Sequence, residues 1–173
     1  MELIQAILNR HSYRGMYLPD PVPRSHLQKI LEAGLAAPSG CNLQSVHLVA
    51  VEDPALMGEI GGMLHKPGFA SAPAAVVVFS KMKYAADGHE YRAQDYAAAI
   101  ENMLLTITDL GYASCWVEGY VRFYENIAEK LARALKAPQD WHAVAYLPVG
   151  RPAQPVQPTA KAPFEERAGF NAF

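Results

Sequence analysis

Apolar positions along the chain alternate between a helical and a strand-like period, and the changes of period mark out its elements. Leu3, Ile4, Ile7 and Leu8 recur at helical spacing, which predicts a first amphipathic helix ending just before Arg10. Gly15 lets the chain turn, and the three prolines in Leu18–Pro23 hold the next stretch extended. Leu27, Ile30, Leu31, Gly34 and Leu35 form the stripe of a second helix, which stops before Pro38-Ser39-Gly40. Val46, Leu48, Val49 and Val51 predict a short strand. Asp53-Pro54 then opens a third helix, with an N-cap acid and a proline at the first helical position, running to about Leu64.

A loop interrupted by Gly and Pro, from His65 to Pro73, leads into Ala74–Phe79, whose β-branched residues are apolar on both faces and suit an interior strand. The polar stretch Ser80 to Tyr91 reads as a surface excursion. From about Asp95 to Leu110, Tyr96, Ile100, Met103, Leu104, Ile107 and Leu110 predict a long helix, apolar nearly all round and therefore buried. Gly111 suits a left-handed cap, and Ala113–Val117 reads as a strand breaking into the loop Glu118-Gly119-Tyr120. Tyr124 to Leu135 predicts another helix and Trp141 to Val149 a last strand. The tail, residues 153–173, holds three prolines yet displays Phe164, Phe170 and Phe173, so it is expected to wrap around its own core or around a second subunit. Helices and short strands mix without regular βαβ alternation. The class is therefore α+β, one domain over residues 1–173 with a small antiparallel or mixed sheet.

Composition narrows the functions available. The chain has 173 residues, 51% hydrophobic and 18% charged, which is lean in charge for a globular protein and leaves apolar surface for a partner subunit. A net charge of -2, with no run of like charge, disfavours nucleic acid. The first residues carry no basic leader, and the longest near-apolar run, Ala70 to Phe79, is too short to span a bilayer, so a cytoplasmic location without a membrane segment is expected. Cys41 and Cys115 are far apart and belong to no metal-ligand cluster; both are expected to be buried thiols.

No nucleophile elbow, Walker loop, dinucleotide fingerprint or zinc motif is present, and no protein-borne catalytic group stands out. What remains is binding chemistry. Arg10-His11-Ser12-Tyr13-Arg14 gathers two guanidinium forks, a hydroxyl and an imidazole, the donors an anion requires, although a solvated basic helix end has the same composition. The polar turn Pro38–Gln44 supplies the amides of Asn42 and Gln44, Val117-Glu118-Gly119 offers a loop at a strand end, and Lys161 adds a cation in the tail. Together these describe a site for a phosphate-bearing cofactor that carries the difficult chemistry itself.

In five stretches the chain resembles the FMN-dependent nitroreductases. They are Arg10–Arg14; Ala37-Pro38-Ser39-Gly40 with Asn42 and Gln44; Glu101-Asn102; Leu110–Trp116; and Val149–Pro152 with Lys161–Glu166. They stand in the family's order and approximate spacing and run the length of the chain. The resemblance implies an intertwined α+β homodimer, its small, mostly antiparallel sheet flanked by helices, with FMN at the subunit interface. By that analogy Arg10, His11, Ser12, Arg14 and Lys161 hold the phosphate and ribityl chain. Pro38, Ser39, Gly40, Asn42 and Gln44 would approach the ring from the second subunit, and in the Val117-Glu118-Gly119 loop the Glu118 and Gly119 backbone amides would face flavin N5 and O4. The implied reaction is ping-pong: NADH or NADPH as donor, then a nitroaromatic, quinone or similar small acceptor. The chain departs from the family at Gln44-Ser45-Val46, where Gln-Pro-Trp is usual, at Lys161, where Arg is commoner, and in its brief Ser80–Tyr91 excursion, where longer members carry lid helices. A flavin-binding or redox-sensing module without turnover, and a specialised flavin reaction such as reductive dehalogenation, are the alternative expectations.

Overall fold

The computed structural model describes residues 2–173. Three antiparallel strands, β1 (Val46–Val51), β2 (Ala74–Ser80) and β3 (His142–Val149), form a sheet in the order β1-β2-β3. Leu48 faces Val78 across one ladder and Val77 faces Tyr146 across the other, and a bulge between Val78 and Phe79 shifts the β2–β3 register. Because alternate side chains of a strand point to opposite faces, β2 feeds two cores at once. Ala75, Val77 and Phe79 pack with Met57, Ile60 and Leu64 of α3 (Pro54–Leu64) and with Ile127 and Leu131 of α7 (Ile127–Ala134). Ala74, Val76 and Val78 pack with Leu27 and Ile30 of α2 (Arg24–Leu35) and with Ile100, Met103 and Ile107 of α5 (Arg92–Asp109). Every residue of β2 is buried, as its unbroken apolar run requires.

The remaining elements are short: α1 (Leu3–Asn9), a 3-10 turn at Gly40–Asn42, α4 (Pro67–Ala70), α6 (Gly119–Phe123) and α8 (Phe164–Arg167). Asp53 caps α3 as its position predicts, its carboxylate accepting the Leu56 N–H at 2.9 Å. Gly111 ends α5 at φ 79°, the left-handed region that favours glycine. Buried nearly all round, α5 exposes Ala93, Gln94, Glu101 and Asp109. None of the helices among the described residues is long and apolar enough to cross a membrane.

Several expectations are corrected or narrowed. Residues 113–117 form no continuous strand, because their bridges run to three different partners: Ala113 to Gly150, Ser114 to Ser12 and Val117 to Tyr146. Helices α4 and α8 arise in stretches read as loop and tail, and the Glu118-Gly119-Tyr120 loop is short because α6 starts at Gly119. Cys41 is exposed, since its φ of 50° turns it outward in the tight 3-10 turn; Cys115 is buried. The apolar stripe of α1 finds no cover: only Ala6 is buried in that helix, while Leu3, Ile4, Ile7 and Leu8 are exposed. The tail does not wrap its own core beyond Val156, and residues 157–173 are exposed.

Candidate functional site

The candidate residues fall into two groups held by different parts of the fold. The first is built on residues 10–17. Arg10 follows the last turn of α1, donating its N–H to the Ala6 carbonyl at 3.0 Å, while its guanidinium lies 3.4 Å from the Glu101 carboxylate of α5. Ser12 then pairs with Ser114, and the Tyr13 N–H donates to the Ser114 carbonyl at 2.8 Å. Buried Tyr13 anchors the stretch: its hydroxyl donates to the Met16 carbonyl at 2.6 Å and its ring meets Tyr17 edge-on. The Arg14 carbonyl abuts Gly68, where any Cβ would collide with it.

Cys115 is where this group converges. Burial pushes its thiol above the ordinary range, while the charges of Arg14 and Arg10 and a hydrogen bond with Ser12 oppose that shift. Arg10, Ser12 and Arg14 therefore share one neighbourhood around the 114–117 segment. On that segment the buried Ser114 Oγ and Trp116 Nε1 have no hydrogen-bond partner. An unmet buried donor or acceptor costs about 1–3 kcal/mol, so both are polar atoms that the protomer by itself leaves unsatisfied. His11 is partly buried, and Lys161 lies in the exposed tail.

The loop after Trp116 belongs to the same side. Val117 turns its side chain into the core and exchanges two backbone hydrogen bonds with Tyr146, at 3.1 and 3.0 Å, so Glu118 leaves the sheet from a fixed point. The Glu118 carboxylate accepts from Tyr96 and from Arg122, each at 2.7 Å. At Gly119 a Cβ would meet nothing within 4 Å, and its φ is not left-handed, so neither packing nor backbone conformation within the chain demands glycine there. The backbone at Gly119 is open to close approach by another molecule.

The second group is the turn of residues 38–44, tied to the start of α5. Asp95, buried on the first turn of that helix, accepts from the Gly40 N–H at 2.7 Å and from Ser45 Oγ at 2.6 Å. Lys83 donates to the Leu43 and Gln44 carbonyls at 2.7 and 3.1 Å. Gln44 bonds back to Ser39 Oγ through its N–H and to Asn42 Oδ1 through its side chain. Cys41, Asn42 and Gln44 have φ of 50°, 53° and 49°, conformations that cost a non-glycine residue about 1–3 kcal/mol each and persist only where the surroundings enforce them. Gly40 is glycine for a reason internal to the chain, since a Cβ there would strike the Tyr91 ring. Pro38, Ser39 and Gln44 border a cavity of about 410 Å³ that Asp95 and Trp141 also line.

Residues 10–14 and 117–119 are thus joined through the 113–117 bridges, residues 38–44 are tied to the start of α5 through Asp95, and Lys161 lies in the exposed tail. Sequence reasoning missed Asp95, Lys83, Tyr96 and Arg122. Each reads locally as an ordinary helix or loop residue, and its partner lies 22 to 55 positions away, apart from the Arg122–Glu118 pair. That pair, at i and i+4 spacing, was the one signal available.

The sequence matches the profile of the Nitroreductase family over residues 7–66 and 62–151. An Archaeoglobus fulgidus protein with the provisional name NADH dehydrogenase/NAD(P)H nitroreductase is 30% identical over 157 residues, 87% of this chain and 86% of that one. The crystal structure of a similarly named protein from Bacteroides thetaiotaomicron has a TM-score of 0.84 at 25% identity, covering 100% of this chain and 99% of that chain. A Desulfovibrio desulfuricans protein, provisionally named a nitroreductase and crystallised in complex with FMN, has a TM-score of 0.80 at 27% identity, covering 100% and 98%.

Proposed function

Since the chain belongs to the nitroreductase family, we propose that it is an FMN-dependent NAD(P)H oxidoreductase acting on small electron-poor acceptors such as nitroaromatics and quinones. The observation that carries this reading is the convergence of Arg10, Ser12 and Arg14 on the 114–117 segment, where Ser114 Oγ and Trp116 Nε1 lack partners. Two planar cations with a hydroxyl fit a phosphate, and the open backbone at Gly119 fits a flat ring brought close to the main chain. In this reading Arg10, His11, Ser12 and Arg14 hold the phosphate and ribityl chain, and after Val117 the Glu118 and Gly119 amides face the ring. FMN, when bound, supplies hydride transfer in two half-reactions, first from NADH or NADPH and then to the acceptor.

The protein's own contribution is binding and field. Arg10 is partly neutralised by Glu101, which leaves exposed Arg14 as the stronger phosphate ligand. Buried Tyr13 and the Ser12–Ser114 bridge fix the main chain that carries both cations, reducing the backbone ordering cost of binding.

The same reading accounts for the residues left apart. We assign Pro38, Ser39, Gly40, Asn42, Gln44 and Lys161 to the flavin site of a second copy, in a homodimer with the cofactor at its interface. Support comes from apolar surface that one protomer leaves uncovered: Leu3, Ile4 and Leu8 of α1 are 66%, 62% and 62% exposed, and Phe164 and Phe170 of the tail are 57% and 82% exposed.

The test is the visible spectrum of the purified protein, followed by anaerobic NADH or NADPH. A yellow protein that either nucleotide bleaches is expected. A colourless protein that FMN cannot reconstitute would reject the reading, and a yellow protein that neither nucleotide bleaches would reject turnover. Arg14→Ala should weaken FMN binding by about 2 to 3 kcal/mol, the worth of a charge-assisted contact, and unchanged affinity would reject the role given to Arg14.

A further inference from the structure

Glu118, the residue before the open backbone of Gly119, is gripped through both its carboxylate and its carbonyl. Its carboxylate Oε1 accepts from the Tyr96 hydroxyl of α5 at 2.7 Å and from Arg122 Nη1 of α6 at 2.7 Å, and the same Nη1 donates to the Tyr96 oxygen at 3.2 Å. Its carbonyl accepts the Arg122 N–H at 2.9 Å. The residue before it is locked to β3 through Tyr146. The Glu118–Gly119 peptide therefore hangs between a fixed strand point and a closed ring of three polar groups contributed by two helices.

The ring also holds its protonation. Burial, then the hydrogen bond to Glu118, push the Tyr96 phenol above its ordinary range, so it remains a donor through neutral pH. The hydrogen bond to Glu118 likewise keeps the Arg122 guanidinium charged. Arg92, Glu90 and His142 line a cavity of about 320 Å³ that Tyr96 and Arg122 also border, and the Arg122 and Arg92 charges oppose the rise of the Tyr96 phenol without reversing it. An exposed ion pair one helical turn apart adds little to stability, so the consequence of this arrangement is geometric.

We infer that Tyr96 and Arg122 are positioning residues for the redox edge of the flavin site, acting through the Glu118 carboxylate to aim the Glu118 and Gly119 amides. This inference rests on the flavin reading above. An amide held in place before charge develops on the flavin favours the reduced, anionic form without reorganising at the moment of reaction. A loosened peptide loses that preference.

The experiment compares FMN-loaded wild-type protein with Tyr96→Phe and Arg122→Met, each also combined with Glu118→Ala. The flavin midpoint potential is read by redox titration, and hydrogen exchange is followed at the Glu118 and Gly119 amides. Each single variant should weaken the preference for reduced flavin about tenfold, a fall of about 30 mV for a two-electron couple, and speed exchange at both amides. In the Glu118→Ala background neither should add a further change, because residues acting through one group are not additive. Arg122 has 39% side-chain exposure, so its variant keeps the test open if Tyr96→Phe folds poorly. An unchanged potential, or full additivity with Glu118→Ala, would overturn the inference and leave the flavin reading intact. Wild-type protein that cannot be loaded with FMN would overturn the flavin reading and the redox role with it. Unaltered amide exchange would overturn the clamp whether or not flavin binds.

Discussion

Strand β2 and helix α1 are both rich in apolar residues, yet their fates in the protomer are opposite. All seven residues of β2 are buried, with a strand on each side and helices on both faces of the sheet. In α1 only Ala6 is buried, and the stripe Leu3, Ile4, Ile7 and Leu8 stays between 45% and 66% exposed. The periodicity of a segment states which residues share a face; it does not state whether the chain supplies anything to cover that face. In β2 the cover comes from within. In α1, and in the tail with Phe164, Phe170 and Phe173, it has to come from outside the protomer if it comes at all.

Phe79→Ala gives the sharpest contrast. Deleting a fully buried ring from β2 should cost about 3–5 kcal/mol in denaturant unfolding, and a loss below 1 kcal/mol would mean that the sheet core is less tightly packed than described. Alkaline pH probes the same core without mutation. Burial raises the Tyr17 and Tyr146 phenols well above the ordinary tyrosine value of about 10, so the folded state retains protons that the unfolded chain releases. Their contribution is complete below pH 10 and is lost as pH rises above it, by about 1.4 kcal/mol per phenol near pH 11, where unfolding and phenolate absorbance should appear together. Phenolate absorbance rising by two residues without unfolding would contradict their burial.

Gly34→Ala tests the second face. A Cβ there would press on Leu48 and Met103, and overpacking of this kind should cost about 1–3 kcal/mol, read as a lower denaturation midpoint. Leu8→Glu is the counterpart on α1. It should change the stability of the isolated protomer by no more than about 0.5 kcal/mol, yet shift the sedimentation of a dimer toward monomer. A large loss of protomer stability would show that α1 belongs to the internal core after all.

The candidate site divides in the same way. Arg10, Ser12 and Arg14 were legible as an anion-binding composition because charge-assisted recognition leaves its mark in residue type alone. That they converge on Cys115 was not legible, since it depends on the Ser12–Ser114 bridge, which joins segments about a hundred residues apart. Glu118 was visible, but its partner Tyr96 was hidden among the apolar positions of α5, where an aromatic ring reads as core. Gly40 and Gly119 look alike in the sequence and differ in space: Tyr91 crowds the first, and among the described residues a Cβ on the second would meet nothing within 4 Å.

By itself the sequence determined the local and periodic features: the buried run of β2, the capped start of α3 at Asp53, the left-handed end of α5 at Gly111 and the basic stretch at residues 10–14. These depend on a residue and its near neighbours, through side-chain spacing, capping and backbone conformation. Only the tertiary structure decided that residues 113–117 would be bridges instead of a strand, that Cys41 would face outward and that the stripe of α1 would stay bare. It also brought Tyr96, Glu118 and Arg122 together. Those outcomes depend on which distant segment meets which, and contacts between distant segments leave no periodic trace in the order of the residues.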